Sequence, residues 1–184
     1  MKLSLLTVGL GVVVILLSLY GLFKPVQGMA LARKFPRSQP AGWALMLLGT
    51  GWFLYIVNYE PIADFTAYKN AMMLGFGAVG VLACIFVPDF LAVRGLAIVL
   101  MLLGKLMADT GRPHLDESPF VLVNQSLAYA CVLAGMWLTV SPWRLRDWVD
   151  WLTATKQRLR FASGVRLAAG LFLVGLGLTA FRNM

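Results

Sequence analysis

The chain has 184 residues, of which 60% are hydrophobic and only 13% are charged, and its mean hydropathy is +0.79. Soluble domains are typically about 45–50% apolar and about 25% charged, so this composition excludes an ordinary water-soluble fold. The net charge is +8, but the basic residues flank apolar segments instead of forming one soluble patch, which excludes nucleic acid as the expected partner and favours anionic lipid headgroups.

Six apolar segments account for nearly the whole chain. Each is close to the roughly 20 residues that a helix needs to cross about 30 Å of hydrocarbon, and none alternates apolar with polar residues as barrel strands do. The sequence therefore predicts an all-α integral membrane protein, a bundle of about six transmembrane helices in a single transmembrane domain over residues 1–184. The predicted helices are 3–23, 41–57, 70–87, 90–108, 120–140 and 161–181. A five-span alternative merges residues 70–108 into one kinked or re-entrant pair, although the length of that stretch favours two helices.

The first segment follows Lys2 and imitates a secretory signal peptide. Its apolar run is long, however, and the residues near Ser18, Tyr20 and Gly21 do not form a small-x-small cleavage site. We interpret it as a retained transmembrane helix.

A proline ends the first, third and fifth segments. The second, fourth and sixth segments, which cross back, each contain a glycine that follows three large apolar residues. This pattern suggests an internal repeat of three parallel helical hairpins, with insertions of different length in their connections. Chance similarity is the alternative, because apolar helices draw on few residue types. The prolines are Pro25, Pro88 and Pro142, and the glycines are Gly49, Gly104 and Gly175.

The connection after Pro142 predicts an amphipathic helix near 142–158 that lies flat at the membrane interface. Leu145, Trp148, Val149 and Leu152 recur at helical spacing, and tryptophans suit the level of the headgroups. We interpret this helix as a membrane-surface anchor; the alternative is a docking surface for a protein partner. Its predicted lipid-interface residues are Trp143, Trp148, Trp151, Lys156, Arg158 and Arg160.

The distribution of basic residues predicts the orientation. If all six segments cross the membrane, the connections near 24–40, 88–94 and 141–166 lie on the same side of it. These connections carry eleven of the sixteen basic residues. Because basic loops stay in the cytoplasm, both termini are expected to face outward from a bacterial inner membrane. Lys2 argues weakly for the opposite orientation.

Two outward loops and the start of the fifth helix form a candidate polar cluster. It contains five of the eight acidic residues and the one histidine of the chain. Polar side chains just inside a membrane helix can hydrogen-bond between helices or face a polar cavity. The candidate residues are Asn58, Glu60, Asp64, Asp109, His114, Asp116, Glu117, Asn124 and Gln125.

Three interpretations of this cluster are open. A metal site would use Asp109, His114, Asp116 and Glu117, but their spacing matches no zinc or calcium loop. An acid-base pair of His114 and Asp116 lacks an identifiable nucleophile. Solvated loops capped by Asp and Pro are the third and favoured interpretation. No catalytic residue, metal or cofactor is therefore predicted, and an enzyme is the less favoured class.

Other residues have structural explanations. Lys105 and Asp109 have the spacing of a helical ion pair, and Arg94 and Arg166 are expected to reach lipid phosphates from one turn inside their helices. Cys84 and Cys131 show no metal or disulfide pattern and are expected to pack as small residues. Small residues at close-packing spacing are the pairs Ala71 and Gly75, Gly80 and Cys84, Ala130 and Ala134, and Gly164 and Ala168.

Three functions follow as hypotheses. The first is a non-enzymatic accessory, scaffold or assembly subunit that packs against other membrane subunits or against itself. The second is a small-solute transporter or channel built from parallel repeats, with Asn124 and Gln125 lining its entry. The third is an outer-face membrane enzyme that acts on a lipid-linked substrate through His114. A polar path across the membrane would favour transport, and a sealed apolar core would favour the scaffold.

Overall fold

The computed structural model of the protein describes residues 2–59 and 68–182, and this part of the chain consists of helices joined by short turns, without strands. The all-α fold class is confirmed. The helices are α1 (Leu3–Phe23), α2 (Pro25–Lys34), α3 (Gln39–Tyr59), α4 (Lys69–Phe86), α5 (Leu91–Gly111), α6 (Val121–Val140), α7 (Trp143–Leu152) and α8 (Lys156–Leu178).

Six of these helices, α1, α3, α4, α5, α6 and α8, are long and apolar enough to cross a membrane, as predicted. Most ends differ by one to three residues from the sequence prediction. The exception is α8, which begins at Lys156 instead of 161, because Thr155 caps it: the Thr155 hydroxyl accepts a hydrogen bond from the Arg158 N–H at 3.3 Å. This extra turn brings Lys156, Arg158 and Arg160 into the helix.

Two shorter helices lie in the basic connections. The prediction of a loop over 24–40 was wrong for most of its length, because Pro25 occupies the first position of α2, where its missing N–H costs nothing. The amphipathic helix after Pro142 exists as α7, but it ends at Leu152 and a turn at 153–155 separates it from α8. Trp148, expected on the same face as Leu145 and Leu152, is exposed, whereas Leu152 is buried.

The chain forms two compact units, each built from discontinuous pieces. The first comprises Met1–Arg33, Leu103–Cys131 and Arg146–Met184, and the second comprises Lys34–Leu102 and Val132–Leu145. Both units contain parts of α5 and α6.

In the first unit, α1 and α8 pack closely and antiparallel. A Cβ added at Gly11 would lie 2.8 Å from the Gly170 carbonyl oxygen, and one at Gly177 would lie 3.1 Å from the Ser4 oxygen. The small buried residues Ser163, Gly170 and Gly177 recur every seven positions on α8. Helices in lipid gain stability from such close backbone approach, because no hydrophobic force drives one apolar helix against another.

In the second unit, α3 packs parallel to the first half of α5 and also contacts α4. Gly42 faces Leu91, and Gly49 faces Ile98, further along both helices. Gly80 of α4 meets the side chain of Thr50 on α3, whose hydroxyl donates to the Met46 carbonyl at 2.8 Å. Of the predicted small-residue pairs, only Gly80 and Cys84 are both buried.

Candidate functional site

Asn124 and Gln125, in the first turn of α6, are the most buried members of the predicted polar cluster. Their exposed fractions are 1% and 7%. The Asn124 Nδ2 donates to the Met107 carbonyl of α5 at 3.2 Å, and the Gln125 Nε2 donates to the Tyr129 hydroxyl at 3.3 Å. The predicted hydrogen bond between helices is therefore present at Asn124.

Each of these amides keeps one buried oxygen without a hydrogen-bond partner in the described part of the chain. These atoms are Asn124 Oδ1 and Gln125 Oε1. Both side chains lie against Gly111 at the end of α5, because a Cβ added there would be 3.1 Å from Asn124 Nδ2 and 3.1 Å from Gln125 Oε1. A buried acceptor that lacks a donor is costly, so this position can take a water or a small molecule that donates hydrogen bonds.

Asp109 is held by two basic residues of its own helix end. Its carboxylate accepts a hydrogen bond from Lys105 Nζ at 2.7 Å and lies 3.7 Å from Arg112 Nη1. The predicted helical pair of Lys105 and Asp109 is thus observed. Because these groups are about half exposed, the pairs contribute little to stability.

His114 contacts Glu117 rather than the other predicted ligands. Its Nδ1 lies 3.0 Å from Glu117 Oε2 within one turn, in the short 3₁₀ segment Arg112–His114 and the residues after it. Asp116 is exposed. In residues 2–59 and 68–182, no three His, Cys, Asp or Glu side chains group closely enough to hold a metal ion.

The remaining predicted members belong to the α3–α4 connection. The Asn58 carbonyl accepts a short hydrogen bond from Lys69 Nζ, which ties the end of α3 to the start of α4 within the second unit. Glu60 and Asp64 lie outside the described residues.

A second candidate region lies between α7 and α8, at the predicted lipid-interface residues. A groove of about 350 Å³ runs between the two helices, and Arg158 lies over the ring of Trp151 at 5.3 Å from its centroid. Trp143, Lys156 and Arg160 are exposed but do not line this groove. The groove residues are Trp148, Trp151, Leu152, Arg158, Phe161, Ala162, Val165 and Arg166.

Sequence reasoning missed the anchor that holds the end of α7. Arg33, on α2, donates from Nε to the Thr153 hydroxyl and from Nη2 to the Thr153 carbonyl, both at 2.8 Å. Asp150 lies 3.9 Å from the same guanidinium. The only signal in the sequence was an arginine in a basic connection, and it does not specify a partner 120 positions away.

Arg94 and Arg166, predicted to reach phosphates, differ in surroundings. Arg94 is partly buried, and its Nε has no partner in the described part of the chain. Arg166 is exposed and donates to the Ser163 hydroxyl and the Ala162 carbonyl, at 3.3 and 3.4 Å. Its side chain thus points back toward the start of α8.

Comparison with known proteins supplies no relative for these sites. No protein-family model, curated protein or solved structure matches the chain significantly.

Proposed function

We propose that this multi-pass membrane protein is a non-enzymatic accessory, scaffold or assembly subunit whose α4 packs against a helix of another membrane subunit or of a second copy. The observation that carries the proposal is a stripe of small residues on the outer surface of α4. Ala71, Gly75 and Ala78 are all exposed. A Cβ added at Gly75 would meet nothing within 4 Å.

The spacing of this stripe suits a partner helix better than lipid. Its members are four and three positions apart, the spacing of the seam along which two helices interlock. A helix surface that only meets acyl chains gains no advantage from small residues, whereas a neighbouring helix can approach closely over them. The bulky Leu74 and Val79 on either side of the stripe can then flank the partner.

The packing below Asn124 also favours the scaffold over the transporter. One turn further along α6, Ala128 is fully buried and packs in an apolar cluster with Leu6, Met107 and Ala108. A solute that reached the two amides would meet this apolar layer next. The transporter remains the second candidate, favoured by the unpaired oxygens of Asn124 and Gln125.

Purification in mild detergent tests the proposal. The wild-type chain and the variants Gly75→Leu and Ala78→Leu are isolated, co-purifying proteins are quantified by mass spectrometry, and the mass of the particle is measured by light scattering. Gly51→Leu is the matched control, since Gly51 on α3 is likewise exposed with nothing within 4 Å of an added Cβ.

We expect a stoichiometric companion or a second copy that is lost in the α4 variants and kept in the control. A wild-type particle that is monomeric and without a companion contradicts the proposal. Solute uptake by reconstituted vesicles that is abolished by Asn124→Ala would instead establish the transporter.

We also propose that the protein lies in a bacterial inner membrane, with its basic connections in the cytoplasm and both termini facing outward. Its support is the division of basic residues, eleven against five, over six helices of spanning length. With this orientation α2 and α7 lie on the cytoplasmic side, where their basic residues face anionic headgroups.

We further propose that the bundle is an internal repeat of three parallel helical hairpins. The three hairpins are α1 with α3, α4 with α5, and α6 with α8. The first helix of each hairpin packs, at a glycine, on the second helix of another hairpin: α4 packs on α3, α6 on α5 and α1 on α8. This common pairing supports the repeat. The glycines at the contacts are Gly80, Gly135 and Gly11.

A further inference from the structure

We propose that the groove between α7 and α8 is a specific site for one anionic phospholipid, whose phosphate binds between Arg158 and Arg166 and whose acyl chain lies against Trp148 and Phe161. This inference concerns a bound lipid and does not depend on the scaffold function. The two arginines and the two aromatic residues line the same groove.

The charged side chains that line the groove are all positive. The lining includes the side chains of Arg158 and Arg166 and no carboxylate, and because the lining surface itself is almost entirely apolar, the two guanidinium groups lie at the edge of the groove. The acids of α7 are engaged elsewhere, since Asp147 pairs with Arg146 at 2.9 Å and Asp150 lies near Arg33. Guanidinium groups recognise phosphate oxygens with paired hydrogen bonds, so a phosphate is the complementary ligand.

Arg166 lies within the apolar part of α8. It lies ten residues after the start of α8 and five residues after Phe161, where the apolar segment begins, which is about 7 Å along the helix inside that segment. A charged group at that depth is costly unless it has a counter-ion. Its hydrogen bonds to Ala162 and Ser163 turn the guanidinium back toward the start of α8, and Arg158 lies one helical turn before Ala162.

The apolar lining identifies the ligand as a lipid rather than free phosphate. Trp148, Trp151 and Phe161 are 56%, 59% and 76% exposed, so their rings are open to an acyl chain. Arg158 is already stacked on Trp151, which holds its charge at the edge of the groove. A zwitterionic choline headgroup would place an ammonium beside two guanidinium groups, and this repulsion favours a lipid with net negative charge.

The experiment is lipid titration of the purified full chain in detergent, followed by native mass spectrometry. The probes are phosphatidylglycerol and phosphatidylcholine with the same acyl chains, with inorganic phosphate as a competitor. The test variant is Arg158→Gln with Arg166→Gln. The matched control is Arg144→Gln with Arg160→Gln, which removes two charges from exposed positions of the same helices outside the groove.

We expect one phosphatidylglycerol to bind at least about fivefold more tightly than phosphatidylcholine, because one basic residue beside a headgroup of net negative charge contributes about this factor and the choline ammonium cancels that net charge. The test variant should lose this preference and the control should keep it. Trp148→Ala should weaken the binding of both lipids equally, because it removes contact with the acyl chain and not with the headgroup.

If the test and control variants lose the preference for phosphatidylglycerol equally, diffuse charge attraction explains the binding and the proposal is overturned. Displacement of phosphatidylglycerol by millimolar inorganic phosphate would overturn it in favour of a free-phosphate site. If the double variant does not fold, Arg166→Gln alone decides: it removes one of the two positive charges beside the headgroup, and an unchanged preference would contradict the site.

Discussion

Arg33 holds the carboxyl end of α7 through both the side chain and the backbone of Thr153. The two hydrogen bonds, each 2.8 Å long, join a residue of α2 to one 120 positions later. Thr153 is fully buried, and its hydroxyl also donates to the Val149 carbonyl at 2.8 Å. Arg33 therefore supplies donors for a helix end whose last carbonyl groups lack partners within the helix.

We expect Arg33→Ala to lower the free energy of unfolding by about 1 kcal/mol, since it removes two hydrogen bonds from a charged but half-exposed donor. Amide hydrogen exchange at residues 149–153 should accelerate, because the end of α7 loses its anchor. The neighbouring Lys34→Ala removes the same charge from α2 and serves as the control. Equal exchange rates at α7 in both variants would contradict this role of Arg33.

The contact between α1 and α8 predicts opposite effects for two glycines of one helix. A Cβ at Gly170 would lie 2.8 Å from the side chain of Ile15, whereas one at Gly175 would meet nothing within 4 Å. Gly170→Ala should therefore destabilise the protein by about 1–3 kcal/mol through overpacking.

Gly175→Ala should stabilise by up to about 1 kcal/mol, because alanine loses less backbone entropy in a helix. Thermal unfolding in detergent, followed by circular dichroism, measures both changes. Similar melting temperatures for the two variants would show that α1 and α8 are not in close contact at Gly170.

The spans were predictable because apolar length and proline positions are local properties of the sequence. The partners that side chains find on other helices were not predictable in this way. The sequence analysis predicted contacts at small residues four positions apart, but the pair Ala130 and Ala134 is exposed. The small buried residues of α8 are instead seven positions apart. Either spacing puts small residues on one helix face, and only the neighbouring helix determines which face is used.

The polar cluster illustrates the same limit. Its loop residues pair locally, as in His114 with Glu117, and such pairs follow from sequence spacing. The burial of Asn124 and Gln125 depends instead on Gly111, a residue of the preceding helix without a side chain to occupy the space. Likewise α2 was missed, because Arg33 contacts Thr153 far along the chain and no regular apolar pattern marks residues 25–34.

The hydrogen bond from Asn124 to Met107 should contribute to stability. We expect Asn124→Ala to cost about 1–2 kcal/mol, the range for an interhelical hydrogen bond in a membrane protein together with a small cavity. Ser126→Ala is the control, since the exposed Ser126 hydroxyl donates to the Leu122 carbonyl of its own helix. Unfolding in detergent with increasing denaturant measures both, and a loss at Ser126 as large as that at Asn124 would rule out a special role for the amide.

The proposed orientation predicts which side of the membrane reacts with a thiol reagent. The two native thiols, Cys84 and Cys131, lie within α4 and α6, so a membrane-impermeant maleimide should leave them unmodified in intact cells. Cysteines introduced at Arg37 and Gln157, in the basic connections, should also stay unmodified until the cells are opened. A cysteine at Asp116, between α5 and α6, should react at once, since this exposed turn is on the side with few basic residues. Immediate labelling at Arg37 together with protection at Asp116 would reverse the topology and place the arginine-containing groove of α7 and α8 on the outer leaflet.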